Sequence, residues 1–228
     1  MIMRKIIMSA ALALALCILI QAGAVFAQDS NKGGTPGPTD LPAFLNGLGK
    51  KVSNFKTLKT DFTQEKELAI FKNKIILKGR IYLQKPGMLA WHVDKPIKYS
   101  VVITDKLIRQ WDEETNQVQE IALAKNPVLK NILNQITVWF LGDYSSLLEY
   151  NNVQVLQKSP LIIEFTPKET NIAKKVIKGI AVTFREDEKY LKQIKIQENS
   201  GDVTTIIFMN TVLDAPVDSR SFEVKGGA

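Results

Sequence analysis

Between Ile75 and Ile103 apolar and polar residues alternate with a period of two, and that alternation decides what the chain can build. Ile75, Leu77, Gly79, Ile81 and Leu83 fall on one face of an extended strand, with Lys78, Arg80, Tyr82 and Gln84 on the other. Lys85-Pro86-Gly87 then supplies a hairpin turn, because proline presets the second turn position and glycine accepts the left-handed geometry of the third. The return strand sets Leu89, Trp91 and Val93 on one face and Met88, Ala90, His92 and Asp94 on the other. Ile97, Tyr99, Val101 and Ile103 continue the pattern, and Leu107–Trp111 and Gln117–Ile121 extend it. Strands joined by connections this short pair antiparallel, so a meander is expected through about residue 121.

Two apolar segments of helical period interrupt the strands. Leu41, Phe44, Leu45, Leu48, Val52 and Phe55 predict an amphipathic helix over about 41–55, with Thr39 or Asp40 as N-cap and Pro42 in the first turn. Val128, Leu129, Ile132, Leu133, Ile136, Trp139 and Phe140 predict a second helix, followed by a short one at Ser145–Tyr150. Strands resume at Val153–Gln157, Leu161–Thr166, Ile177–Arg185, Leu191–Gln197 and Val203–Asn210, with a final short strand near Ser221–Val224. The expected fold class is mainly β (α+β): one domain over 40–228, with ten or eleven antiparallel strands, a helix before the sheet and another inserted midway. Strand twist makes so large a sheet curl. Such a sheet with helices over it packs solid or encloses a cavity, and both outcomes fit the pattern.

The N-terminus reads as an export signal. Arg4 and Lys5 precede an apolar run from Ile6 to Ile20, and Val25-Phe26-Ala27 offers the small residues of a cleavage site after Ala27. The run is shorter than the ~20 residues of a spanning helix. Leu16 before Cys17 and Ile18-Leu19-Ile20 after it argue against lipidation there. Cleavage removes the one cysteine, which excludes disulfides, thiolate metal sites and cysteine nucleophiles. It also removes two basic residues and lowers the net charge from +7 to +5. Residues 28–39 hold no large apolar side chain and form a flexible leader. The basic residues are scattered rather than clustered, so nucleic acid is not an expected partner.

Signals for catalysis are weak. The sole histidine, His92, points away from Trp91 and Leu89 by the alternation and reads as a partly exposed structural residue. One histidine without cysteine serves zinc poorly. Glu113-Glu114 and Glu186-Asp187-Glu188 lie in turn-like stretches, and Gly33-Gly34 belongs to the leader rather than to a phosphate cradle. No catalytic residue, metal or cofactor is assigned: the chain reads as a binder, not an enzyme. Trp91, Tyr99 and Trp111 run in phase with aliphatic residues and are expected in the core or a cavity wall.

Several short motifs, in order, resemble a known family. A helix is followed by Phe62-Thr63-Gln64, then by a strand ending in Lys85-Pro86 with Leu89 and Trp91 beyond. Next come "ITDKLIRQW" at 103–111, "FTPK" at 165–168 and "LDAPVDSRSFEV" at 213–224. Over about residues 41–225 the chain resembles the outer-membrane lipoprotein carrier proteins (LolA). That resemblance implies an incomplete antiparallel β-barrel of about eleven strands, with a helical lid enclosing a hydrophobic cavity for acyl chains. The cavity would be lined by Leu77, Ile81, Leu83, Leu89, Trp91, Tyr99, Val101, Trp111, Ile132 and Ile136.

The family takes lipoproteins from an inner-membrane ABC transporter and carries them across the periplasm to an outer-membrane receptor. A monomeric periplasmic carrier of acylated lipoproteins is therefore implied. Typical members place Arg before the Pro, where it bonds the lid; here Lys85 stands as the lid latch, with a point charge instead of a planar fork. The stretch 64–80 is similar to a divergent LolA-like branch, which keeps another acylated envelope lipid open as cargo. An envelope-stress sensor of the same fold is the other alternative.

Overall fold

The alternating segments become strands over nearly the ranges expected. The structure, a computed structural model, describes residues 40–70, 74–125 and 138–224. The expected signal and leader lie outside these residues, as does most of the expected second helix. The strands are β1 (Thr57–Glu67), β2 (Lys74–Gln84), β3 (Met88–Lys95), β4 (Tyr99–Ile103), β5 (Leu107–Asp112), β6 (Val118–Ala122), β7 (Asn151–Lys158), β8 (Leu161–Pro167), β9 (Ile177–Phe184), β10 (Leu191–Glu198) and β11 (Val203–Leu213). They hydrogen-bond in the order β6-β5-β4-β3-β2-β1-β11-β10-β9-β8-β7. The fold is mainly β: one open antiparallel sheet of eleven strands, the incomplete-barrel class, with β6 and β7 as its edges.

β1 is the strand that the hydropathy alternation does not flag. Its buried positions are Leu58, Thr60, Phe62, Gln64 and Lys66, so most of its inward face is polar and period two is invisible. Those polar groups are satisfied rather than stranded. Thr60 Oγ1 donates to the Met209 carbonyl at 3.0 Å and meets Thr211 Oγ1 at 2.7 Å. Lys66 Nζ pairs with Glu198 at 2.9 Å.

The chain packs as two compact units. The first comprises the described residues within Met1–Ser53, Lys66–Asn73 and Ile136–Thr205. Its helix α1 (Leu41–Val52) starts where Asp40 Oδ1 accepts the Ala43 N–H at 3.0 Å, as an N-cap should. It stops before Phe55, which belongs to the second unit. Leu45, Leu48 and Val52 form its buried stripe. In β7–β10, Val155, Ile163, Val182 and Ile194 share one register line and are all buried. Trp139 meets Phe165 edge-on at 4.7 Å, and Tyr144 meets Phe184 at 5.5 Å, both at 87°.

Two glycines set the approach of α1 to the chain after residues 138–141, which are helical. Gly142 ends that stretch with φ +81, its N–H bonded to the Val138 carbonyl at 2.9 Å. A Cβ on Gly49 would stand 2.1 Å from the Gly142 oxygen, and one on Gly142 would stand 2.8 Å from the Gly49 oxygen. Backbone touches backbone here, and neither side has room for a methyl.

The second unit comprises the described residues within Asn54–Glu65, Lys74–Gln135 and Ile206–Ala228. In it, Ile81–Leu83, Leu89–Val93 and Ser100–Val102 are buried on both faces of the sheet. The outer face is covered by the chain's own C-terminal strap. Phe222 and Val224 pack on Tyr82, Ala90 and Val102, with Met88, Trp111 and Val217 at the margin. The expected strand near Ser221–Val224 is instead a 3-10 turn, Ser219–Phe222. Two of its backbone N–H groups bond locally: Asp218 Oδ1 accepts the Arg220 N–H at 2.9 Å, and Ser221 N–H reaches the Asp218 carbonyl at 2.9 Å. A segment crossing a sheet face has no strand edge to pair with.

The glycine contact is testable. Gly49→Ala forces backbone apart and should cost about 1–3 kcal/mol in denaturant unfolding. Gly47→Ala, whose Cβ would meet nothing within 4 Å, should gain roughly 0.5–1 kcal/mol from helix propensity. Equal effects at the two positions would refute the close approach.

Candidate functional site

The inner face of β2–β5 gathers most of the expected apolar residues into adjoining register lines. Leu83, Leu89, Ile103 and Ile108 form one line, and Ile81, Trp91 and Val101 the next. Gly79, Val93 and Tyr99 form a third, and Leu77 precedes Gly79 on the same face of β2. Ile81, Leu83, Leu89, Trp91 and Val101 are all buried. Phe62 of β1 lays its ring 4.6 Å from that of Trp91, tilted by 52°. Gly79 makes this possible. A Cβ there would sit 2.9 Å from the Phe62 ring and 1.8 Å from the His92 carbonyl, beside the bulge in the β2–β3 register.

Toward β6 the first line stays apolar, ending on Ile121, while the second turns polar. Gln110 continues the Trp91–Val101 line, accepts from Tyr99 Oη at 3.3 Å and donates to Gln119 at 2.6 Å. Burial, with Asp112 adding to it, pushes the Tyr99 phenol above its usual range.

Of the residues expected to line a cavity, Leu77, Ile81, Leu83, Leu89, Trp91, Tyr99 and Val101 stand on this one face. Trp111 does not. It lies opposite Ser100, on the outer face, packed at the edge of the strap cluster with its indole N–H donating to Asn116 at 3.2 Å. The turn between β4 and β5 is the cause. It pairs Ile103 with Ile108, an odd with an even position, so the facing parity reverses. A linear count of alternation carries odd numbers through the turn, and for that reason it misassigns Trp111 and misses Ile108. Ile132 and Ile136 lie outside the described residues.

Lys85 sits at the β2–β3 turn. Its Nζ stands 4.1 Å from the centre of the Phe55 ring, a cation–π distance, and its N–H donates to the Lys56 carbonyl at 2.9 Å. Burial pulls the amine below the usual lysine range, with the Asp214 carboxylate acting in the opposite direction. Asp214 in turn holds the Lys56 N–H at 2.7 Å. Most of the inserted helical segment, residues 126–137, lies outside the described residues.

His92 is not the partly exposed residue that the sequence suggests: it is 2% exposed, because the strap lies over it. Its Nδ1 is 2.9 Å from Ser100 Oγ and its Nε2 is 2.8 Å from the Ser221 carbonyl. A serine beside an imidazole has the outline of a nucleophile–base pair. Here Ser100 is itself buried, and the second ring nitrogen is spent on a backbone carbonyl of the strap. The pair fastens one segment to another.

With this geometry in place, the family model and the sequence relatives agree on a family. The family model described as "Outer membrane lipoprotein carrier protein LolA" matches residues 53–225, well over half of the chain. An outer-membrane lipoprotein carrier protein of Coxiella burnetii (strain RSA 331 / Henzerling II) is 24% identical over 187 residues, covering 78% of this chain and 81% of that protein. Its counterpart in Methylobacillus flagellatus is 23% identical, covering 82% and 83%. Among solved structures, MucB is similar at a TM-score of 0.52 and 13% identity, over 84% of this chain and 65% of that one. An uncharacterized conserved protein from Thermus thermophilus is similar at 0.51 and 9%, over 79% and 94%. At such identities the structures speak for the fold alone.

Removing the ring that packs on Trp91 tests the inner face. Phe62→Ala should cost about 3–5 kcal/mol in denaturant unfolding. A loss below about 1 kcal/mol would mean that the Phe62–Trp91 contact is not part of the core.

Proposed function

The chain belongs to the outer membrane lipoprotein carrier protein LolA family, and from that premise we propose that it is a periplasmic carrier holding the acyl chains of lipoproteins. In this proposal the signal at 1–27 exports it, the leader at 28–39 clears the membrane, and the domain over 40–228 shuttles cargo from the inner to the outer membrane. The observation that carries the reading is the continuous apolar face of β2–β4, built from Ile81, Leu83, Leu89, Trp91 and Val101. Such a face offers acyl chains dispersion and desolvation without hydrogen bonds that would demand one head group. At about 0.8 kcal/mol per CH₂, several exposed acyl chains would cost tens of kcal/mol in water. A carrier must cover that surface yet let it go, and wide apolar contact without polar locks suits both demands.

The proposed partners follow from the family: an inner-membrane ABC transporter that loads the protein and an outer-membrane receptor that unloads it. Lys85 is proposed as the rim group that helps to hold the loaded state, through its charge and its seat on Phe55.

Two experiments bear on this. Mature protein purified from its native host should yield acylated peptide or lipid when organic extracts are read by mass spectrometry, and it should release lipoprotein from spheroplasts. Lipid-free protein without release activity would sink the proposal, and capture by a signalling protein in cells would move it to the sensor class. For the latch, Lys85→Ala should speed displacement of a bound fluorescent fatty acid by about 2- to 30-fold, the span of one cation–π contact. Lys85→Arg should stay near the parent, and identical rates in all three proteins would remove Lys85 from that role.

A further inference from the structure

The strap that seals the outer face of β2–β4 is tied to the sheet by a hydrogen bond to a buried side chain, His92. The Ser221 carbonyl can only accept, so His92 Nε2 carries a hydrogen and donates to it. That leaves Nδ1 to accept from the Ser100 hydroxyl. A neutral imidazole therefore satisfies both contacts. The Tyr82 ring stands edge-on to it at 5.8 Å, and Phe222, next to Ser221, packs on Tyr82, Ala90 and Val102.

Charged or polar groups stand on the elements around this site. β2 brings Arg80, whose guanidinium grips Asp94 of β3 through two contacts of 3.2 Å. β4 brings only the Ser100 hydroxyl, and β5 brings Arg109, paired with Glu120 at 2.7 Å. The strap brings Asp218 paired with Arg220 at 2.7 Å, and Glu223. Burial is the largest influence on His92 and holds its pKa below the ordinary 6.5. The Ser221 carbonyl pulls upward, Arg80 adds to the lowering and Asp94 opposes it.

We propose that His92 is a proton-operated latch for the C-terminal strap: protonation of the ring detaches residues 217–224 from the outer face while the sheet stays paired. A proton on Nδ1 only turns the Ser100 hydroxyl from donor to acceptor, but it places a charge in a buried pocket beside Arg80, and the cost of that charge favours release. Lifting the strap returns the ring to water, whereas the β2–β4 ladder gains nothing by opening. The sign follows from linkage. The closed form has the lower pKa, so closure is fully stable above about 6.5 and weakens as pH falls below it, by at most about tenfold per pH unit. Asp218, which Arg220 pulls below the usual carboxylate range, would loosen the strap only at much lower pH, so the two windows are separate. Opening would bare Tyr82, Ala90, Val102 and Trp111, a second apolar surface on a protein proposed to work where pH follows the medium.

Amide hydrogen exchange on the full mature chain tests this, between about pH 8 and about pH 5 and corrected for intrinsic rates. Amides of 217–224 should exchange faster at the acidic end, by at most about tenfold per pH unit, while those of β2–β4 keep their protection. His92→Gln, which can still donate to the Ser221 carbonyl but cannot take up a proton, should abolish the pH dependence. The chain has one histidine, so its imidazole NMR signal is unambiguous, and in the parent protein its midpoint should coincide with strap release. That second measurement needs no variant to fold. Strap exchange indifferent to pH, release only together with the sheet, an unchanged pH response in His92→Gln, or an imidazole midpoint unrelated to release would each overturn the proposal.

Discussion

A strand has two faces, and in β2–β4 both must leave water. Everything distinctive about the second unit answers that constraint. The inner face is covered in part by Phe62 on Trp91, with Gly79 giving the ring its place. The outer face is covered by a strap built around the single 3-10 turn Ser219–Phe222, held by Phe222, Val224 and the hydrogen bond from His92. Remove the strap and the same residues that make the sheet cohesive become an exposed apolar surface, which a soluble protein rarely tolerates without a partner.

The two faces are built from different chemistry. Along the inner lines the side chains are mostly aliphatic or aromatic: the Leu83–Leu89–Ile103–Ile108 line stays apolar to Ile121 of β6, while Gln110 and Gln119 end the Ile81–Trp91–Val101 line. Along the outer lines Arg80, His92 and Ser100 interrupt the apolar residues, and each is bonded to a named partner. A face without polar specificity suits a variable greasy ligand, and a face with fixed polar ties suits one permanent occupant. The proposed carrier role uses the first, and the proposed latch uses the second.

Most of the strand framework was legible from residues alone, because Ile81–Leu83, Leu89–Val93 and Tyr99–Ile103 obey a period that only extended chain can satisfy. The Asp40 cap and the short helical turn after Ser145 were legible because each is set by local chemistry; the turn at Lys85-Pro86-Gly87 was placed correctly, but Gly87 does not take the left-handed φ expected of it. β1 was not, since Thr60, Gln64 and Lys66 are inward-facing yet polar, and the partners of Thr60 and Lys66 come from residues some 130 to 150 positions away. Trp111 was placed on the wrong face because a turn can reverse parity without altering composition.

By itself the sequence determined most of the elements, the antiparallel pairing of neighbours and the apolar character of one face, because these depend on spacing within a few residues. It also carried, through short ordered motifs, the resemblance to lipoprotein carriers. Only the tertiary structure decided that β1 lies beside β11, that the terminal segment crosses a face instead of joining an edge, and that His92 is sealed beneath it. Those outcomes depend on contacts between residues more than a hundred positions apart, such as His92 with Ser221. No local period can encode which distant segment wins a surface; that is settled by which one fills it and satisfies its hydrogen bonds.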